Sequence, residues 1–164
     1  MRILFVTLRT LVYATGFLFF FGWLAFRVRT LDRSFAWSLP HGTEIPGIIL
    51  LLIGAVIALT CICVFVTKGR GTPAPFDAPR VFVAVGPYKY ARNPMYIGGL
   101  GLLSGLGLYE HSISILLLAA FLFPVVHLFV VFYEEPTLRK KFGNSYQDYC
   151  RGVRRWIPRL PSSR

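Results

Sequence analysis

The sequence predicts an all-α integral membrane protein. It has about four membrane helices, including a C-terminal helical hairpin, plus a cytoplasmic amphipathic C-terminal helix. Three observations carry this. Hydrophobic residues fill 55% of the 164 positions and charged residues only 15%, against ~25% charged in an ordinary soluble domain. The apolar residues gather into runs that approach the ~20 helical residues needed to cross a bilayer core. The remaining charge is lopsided, with 18 Lys and Arg against 7 Asp and Glu, a formal net charge of +11. A soluble fold of this size could not bury so much apolar surface. An aromatic content of 16% excludes disorder, which is poor in aromatics.

The first span is read from Leu8 to Phe26, with Arg9 snorkelling to the interface. A cleaved leader is the competing reading. The run is too long and too bulky from Phe17 to Trp23, and it lacks a small-residue cleavage site. The second span, Ile45 to Thr67, carries no charge and is closed by Lys68. The segment Met95 to Tyr109 is apolar but only about 22 Å long at 1.5 Å per residue, short for an upright span. It holds five glycines, among them the pair Gly101 and Gly105, whose spacing lets another helix approach closely. It forms a hairpin with Ser112 to Tyr133 through Glu110, His111 and Ser112. Inside that last span Pro124 marks a kink, and His127 is read as a packed or hydrogen-bonded interior residue. Gly99 to Ser104 is no dinucleotide loop, because the third glycine and the preceding strand are missing.

The chain therefore reads as a single membrane domain, 1–164. Two N-terminal spans occupy 1–67, a cytoplasmic loop 68–94, the hairpin 95–133, and a cytoplasmic tail 134–164. Basic residues set the orientation. Lys68, Arg70, Arg80, Lys89 and Arg92 lie in the loop, eight more run from Arg139 to Arg164, and the hairpin turn has none. The positive-inside rule puts loop, tail and both termini in the cytoplasm, as in a multi-pass protein of a bacterial-type inner membrane. No nucleic-acid motif accompanies the basic residues, which read as topogenic and lipid-facing. Cys61, Cys63 and Cys150 give no disulfide framework. His41, His111 and His127 are scattered singly, so no metal site is expected.

Two stretches beside the hairpin carry more signal than plain loops. In the first, Gly86-Pro87 and Asn93-Pro94 are turn signals, and Pro94 suits the first turn of a helix. That aims Arg92, Asn93 and unpaired helix N–H groups at one spot, suited to a carboxylate or phosphate. Tyr88, Tyr90 and Tyr96 add aromatic faces for a cation or a purine. The bland alternative is an interfacial anchor. In the second stretch, Glu134 and Glu135 stand together at the end of a span, where the helix terminus is already negative. They need a nearby Arg, or the hydroxyls or amine of a ligand, unless they merely terminate the span. Leu138, Phe142, Tyr146 and Tyr149 then recur at helical spacing, as on one amphipathic helix that lies on the membrane or covers the first stretch.

The pattern Gly-x-Tyr-x-x-x-Arg-Asn-Pro-x-Tyr-x-Gly over 86–98 resembles a signature of the isoprenylcysteine carboxyl methyltransferase and phospholipid methyltransferase superfamily. The later Glu-Glu-x-x-Leu-x-x-x-Phe-Gly-x-x-Tyr-x-x-Tyr, followed by a basic segment and Ile157-Pro158, is similar to the C-terminal signature of that superfamily. The resemblance implies a membrane methyltransferase that uses S-adenosylmethionine and releases S-adenosylhomocysteine. By motif position, Tyr88, Arg92, Asn93, Pro94, Tyr96 and Gly98 would form one wall of the cofactor pocket, Glu134 and Glu135 another. Tyr146 and Tyr149 would close it, and Arg151 or Arg154 would serve the acceptor side. Asn93 stands where the family often has His, and it cannot carry charge. The implied acceptor is a lipid or small apolar molecule reached from the bilayer, as in the isoprenylcysteine enzymes or in phospholipid N-methylation. The other readings are a sterol-reductase-type enzyme with a nicotinamide cofactor and a non-catalytic cofactor-binding membrane scaffold. Reporter fusions at each end are expected to report the cytoplasm, and an external C-terminus would overturn the four-segment topology.

Overall fold

The computed structural model describes residues 2–35, 39–69 and 81–158. Parts of the expected loop and tail, residues 70–80 and 159–164, lie outside these. Every regular element among the described residues is helical. Helix α1 covers Arg2–Arg29 and closes in a 3-10 turn, Thr30–Ser34. Helix α2 covers Glu44–Val64 and runs on through a π turn, Phe65–Gly69. A 3-10 turn at Gly86–Lys89 precedes α3, Pro94–Tyr109, and α4, Ile113–Phe129. A second π turn, Val130–Glu134, carries α4 straight into α5, Glu135–Phe142, and α6 covers Asn144–Gly152. Three continuous helical stretches are long and apolar enough to cross a membrane: Thr7–Ser34, Glu44–Gly69 and Ile113–Phe142. At 16 residues α3 is shorter, about 24 Å. Pro124 lies inside α4, whose departure from α geometry comes later, at the π turn.

The distribution of side chains inverts that of a soluble protein. Phe19 is 77% exposed, Phe132 75% and Phe121 66%, while the buried positions include Ala25, Cys61, Ala119, Thr10 and Ser112. Lipid tails are as apolar as a leucine, so large apolar groups gain nothing by facing inward. Helices instead associate through small residues and hydrogen bonds.

The contact between α2 and α3 carries this to its limit. Gly47 and Gly54 on α2 meet Gly98 and Gly105 on α3, each pair spaced by seven residues, two helical turns. A Cβ on Gly54 would lie 2.7 Å from the Gly98 carbonyl oxygen and 2.8 Å from the Leu102 nitrogen. A Cβ on Gly105 would lie 2.7 Å from the Leu51 nitrogen, and one on Gly47 2.7 Å from the Tyr109 nitrogen. Backbone rests on backbone, with α3 antiparallel to α2 and at the same depth. Of the glycine pair singled out in the sequence, Gly105 makes this contact, while Gly101 has ordinary room, 3.6 Å from the Gly54 Cα. The close partner of α3 is α2 rather than the following helix.

At the hairpin end, the Ser112 hydroxyl caps α4 by accepting from the Ile115 N–H at 3.2 Å. Asp32 reaches over from the end of α1 to accept the Ser114 N–H at 2.8 Å, and Arg29 pairs with Glu110 at 2.7 Å. A carboxylate at a helix N-terminus answers both its unpaired N–H groups and its positive dipole end.

The tail departs from expectation. Leu138, Phe142, Tyr146 and Tyr149 do not share one helix. Gly143, at φ +55° and ψ −129°, breaks the chain between α5 and α6. Residues with a side chain rarely adopt that conformation. The turn brings Phe142, Tyr146 and Tyr149 around Phe82, with ring centroids 5.5, 5.9 and 5.1 Å away.

Gly54→Leu and Gly105→Leu are expected to cost about 3 kcal/mol or more through forced separation of the helices. Gly99, with nothing within 4 Å, should tolerate Leu within about 0.5 kcal/mol. Thermal melting in detergent distinguishes them, and equal melting would refute the close-packing account.

Candidate active site

The chemistry-bearing residues converge where α4 passes into α5. The helix does not stop at Glu134 and Glu135, as expected from sequence, but continues through them. The carboxylates therefore face no helix terminus, and each finds its own partner. The π turn contributes by inserting an extra residue per turn, a distortion frequent at functional sites.

Glu135 is the electrostatic centre, its side chain only 5% exposed. Its Oε1 accepts from Arg155 Nε at 2.7 Å and lies 3.0 Å from Arg92 Nη1; Oε2 accepts from Arg155 Nη2 at 3.1 Å. Arg139, one turn on along α5, stands 3.8 Å from Oε2. The two-pronged Arg155 contact is the strong geometry for a guanidinium and a carboxylate. These hydrogen bonds hold Arg155 above its ordinary pKa, so it stays charged.

The same arginines anchor the tail. The Arg92 backbone N–H donates to the Arg154 carbonyl at 2.9 Å. Asn93 donates twice to the Arg155 carbonyl, from its backbone N–H at 3.3 Å and its side-chain Nδ2 at 3.2 Å. Further on, Trp156 Nε1 donates to His127 Nδ1 at 2.9 Å. Indole nitrogen only donates, so Nδ1 is the accepting nitrogen. This is the interior hydrogen bond that the sequence suggested for His127, with an unforeseen partner. Arg92 Nη1 also lies 3.0 Å from Cys150 Sγ on α6, while its buried Nε has no partner among the described residues.

Glu134 has a different environment. It is partly buried, and its Oε2 accepts the Tyr96 hydroxyl at 2.9 Å, leaving Oε1 with no hydrogen-bond partner among the described residues. Beside it Tyr88 is buried, edge-on to Phe65 with centroids 5.3 Å apart, and its carbonyl accepts the Tyr149 hydroxyl at 2.6 Å. Burial pushes the hydroxyl groups of Tyr88, Tyr146 and Tyr149 above their usual pKa. All three therefore stay neutral donors through the working pH range.

Tyr88, Arg92, Asn93, Tyr96, Glu134, Glu135, Tyr146 and Tyr149 thus fall into one connected region, with Pro94 starting α3 beside it. Three candidate residues fall elsewhere. Gly98 lies in the α2–α3 contact, where a Cβ would sit 3.0 Å from the Gly54 carbonyl oxygen; its lack of a side chain serves packing. Arg151 points outward, 79% exposed, and pairs with Asp148 at 3.0 Å. Arg154 is exposed and contributes only its carbonyl. Arg155 takes the inner place. Its signal in the sequence was the unmatched negative charge of two adjacent glutamates, but nothing in the spacing separated it from its neighbours.

Glu135→Gln leaves Arg92 and Arg155 without their counter-charge and is expected to cost about 3 kcal/mol or more. Glu134→Gln keeps a hydrogen bond with Tyr96 and should melt within about 1 kcal/mol of wild type. Similar melting of the two variants would show that Glu135 does not organise the site.

The chain matches the description "Phospholipid methyltransferase" over residues 43–145, more than half of its length and including both sides of this site. Over 78 residues it is 31% identical to the nickel-cobalt-cadmium resistance protein NccN of Alcaligenes xylosoxydans xylosoxydans, covering 48% of this chain and 36% of that protein. The chain thus spans about a third of the length of that relative. No solved structure matches. With its apolar spanning helices and its match over most of the bundle, the chain belongs to the phospholipid methyltransferase family.

Proposed function

We propose that this protein is a membrane-embedded methyltransferase that binds S-adenosylmethionine at the α4–α5 junction and methylates a lipid or small apolar acceptor. The observation that carries the reading is the division of labour between the two glutamates. Glu135 is saturated by arginines and builds the site. Glu134, oriented by Tyr96, keeps one carboxylate oxygen for a ligand. That oxygen suits the ribose diol or the ammonium group of the cofactor, and the aromatic face of Tyr96 suits its sulfonium. Arg92 is engaged by Glu135, which favours a role in shaping the loop before α3 over direct contact with the cofactor carboxylate. Asn93 serves the same end by docking the tail.

When bound, the cofactor supplies an activated methyl group. The chain has to align the acceptor with it and keep water out. The strap made by residues 153–156, held by Arg92, Asn93 and His127, suits the second task. The membrane-exposed apolar helices suit delivery of the acceptor sideways from the bilayer. In this reading α3 is a fourth membrane segment, and both termini face the cytoplasm of a bacterial-type inner membrane. The acceptor class covers phospholipid amines and isoprenylcysteine-like carboxylates. Arg151 and Arg154, the two arginines expected on the acceptor side, are both exposed, which favours the lipid amine over a carboxylate.

Calorimetric titration of the detergent-purified protein with S-adenosylhomocysteine and S-adenosylmethionine tests this, with a nicotinamide dinucleotide as control. Binding of the adenosyl compounds alone is expected. Glu134→Gln should weaken it about tenfold or more, the worth of a hydrogen bond to a charged group, with little change in melting. Dinucleotide binding would turn the reading towards a reductase. No binding, in detergent and in lipid nanodiscs alike, would leave a scaffold that has kept the fold alone.

A further inference from the structure

At the start of α2, the other end of a helical stretch of 26 residues about 38 Å long, three residues distant in sequence meet. His41 precedes α2, Glu44 is its first residue, and His111 sits in the α3–α4 turn. Each offers one ligand atom, all within 4.8 Å of one another. The meeting is not legible along the chain, since 67 positions separate Glu44 from His111.

The hydrogen bonds around His111 show what the cluster lacks. Thr43 Oγ1 lies 2.9 Å from the Leu108 carbonyl oxygen, 3.3 Å from that of Pro40 and 3.1 Å from His111 Nδ1. A hydroxyl has one proton, and carbonyl oxygens only accept. Where the Thr43 proton goes to Leu108, the shortest of these contacts, Oγ1 accepts from His111 Nδ1–H. That assigns the bare lone pair of a neutral ring to Nε2, which lies 2.8 Å from Glu44 Oε1. The other Glu44 oxygen is taken by the Gly42 N–H at 2.8 Å. Two acceptors so close need a positive particle between them, either a proton or a metal ion.

The third residue decides between them. A proton bridges two atoms, whereas a metal ion takes three protein ligands and a water. The His41 ring stands edge-on to His111 with centroids 5.7 Å apart, and the site is open to water, with His111 28% and Glu44 39% exposed. Two histidines and a glutamate form a ligand set that suits Zn²⁺ and related ions. A metal-bound histidine usually donates its other ring N–H to a fixed acceptor, the part Thr43 Oγ1 takes here. His111 also holds φ +51°, a left-handed conformation uncommon for a residue with a side chain. Tetrahedral coordination at about 2.0–2.2 Å per bond separates ligand atoms by roughly 3.3 Å. Only sub-ångström opening of the Glu44–His111 contact and a rotamer adjustment of His41 are then needed.

We propose that His41, Glu44 and His111 form a site for a divalent transition metal ion of the zinc type, which ties the start of α2 to the hairpin turn. The inference is independent of the methyltransferase reading. The test uses the full chain purified in detergent without a histidine tag and stripped with a chelator. It is titrated with Co²⁺, read by visible d–d absorption, and with Zn²⁺, read by calorimetry. One Co²⁺ per chain with tetrahedral intensity, displaced by Zn²⁺, is expected, together with a rise in melting temperature on adding Zn²⁺. Glu44→Gln and His41→Ala should each weaken binding more than tenfold, and Thr43→Val about tenfold through loss of tautomer control. His111→Ala is less informative, because it also alters the turn. His41 is exposed, so its variant should keep the wild-type helical signal. Absence of binding by the folded protein would overturn the proposal. So would wild-type affinity in His41→Ala, which would leave Glu44 and His111 as a proton-bridged pair.

Discussion

A single buried carboxylate organises the chemical end of this molecule. Glu135 lies on a helix that emerges from the apolar bundle, and a charge there is tolerated only when paired. Its partners come from three places: Arg92 from the loop before α3, Arg139 from α5, and Arg155 from the tail. Meeting the electrostatic demand of one residue therefore folds the loop and the tail onto the helix. The backbone bonds from Arg92 and Asn93 to the tail carbonyls follow from that placement. Tyr96, one turn into α3, is thereby carried to Glu134. The two adjacent glutamates thus meet different partners, arginines at Glu135 and the Tyr96 hydroxyl at Glu134.

The membrane end of the structure obeys a different rule. Without water there is no hydrophobic gain from bringing helices together, so the contact relies on dispersion and close fit. Glycines seven residues apart on α2 and α3 let two backbones touch, and this fixes the register between them. Register in turn sets both ends of the pair. At one end Tyr88 comes to rest against Phe65 and Cys61. At the other, Thr43 and Glu44 are brought up to Leu108 and His111. A rigid pair of antiparallel helices thus couples two polar clusters on opposite sides of an apolar slab. Each cluster draws its residues from segments that only that register brings together.

The arrangement also explains why the site lies at the edge of the bundle. In the proposed reaction a water-soluble cofactor and an apolar acceptor have no common solvent. A site where a spanning helix leaves the apolar layer, roofed by a short polar strap, borders both.

The helical class, the apolar runs and the turn of the hairpin were legible in the residues alone. These depend on composition and run length, which the thickness and polarity of a bilayer translate directly into helices. The sequence also marked both stretches that meet at the candidate site, because Arg92-Asn93-Pro94 and Glu134-Glu135 place charge where a membrane protein can seldom keep it without a partner. Which partner each charge found emerges only once the helices are packed. Arg155 rather than Arg151 or Arg154 reaches Glu135, Gly98 serves packing rather than a ligand, and Gly143 splits the expected single tail helix. The meeting of His41, Glu44 and His111 was likewise invisible, although every residue was in plain view. The reason is that periodicity and local charge are properties of neighbours along the chain. The place of Gly98 and the meeting of Glu44 with His111 depend on the register between α2 and α3, which backbone contacts set between residues some fifty positions apart.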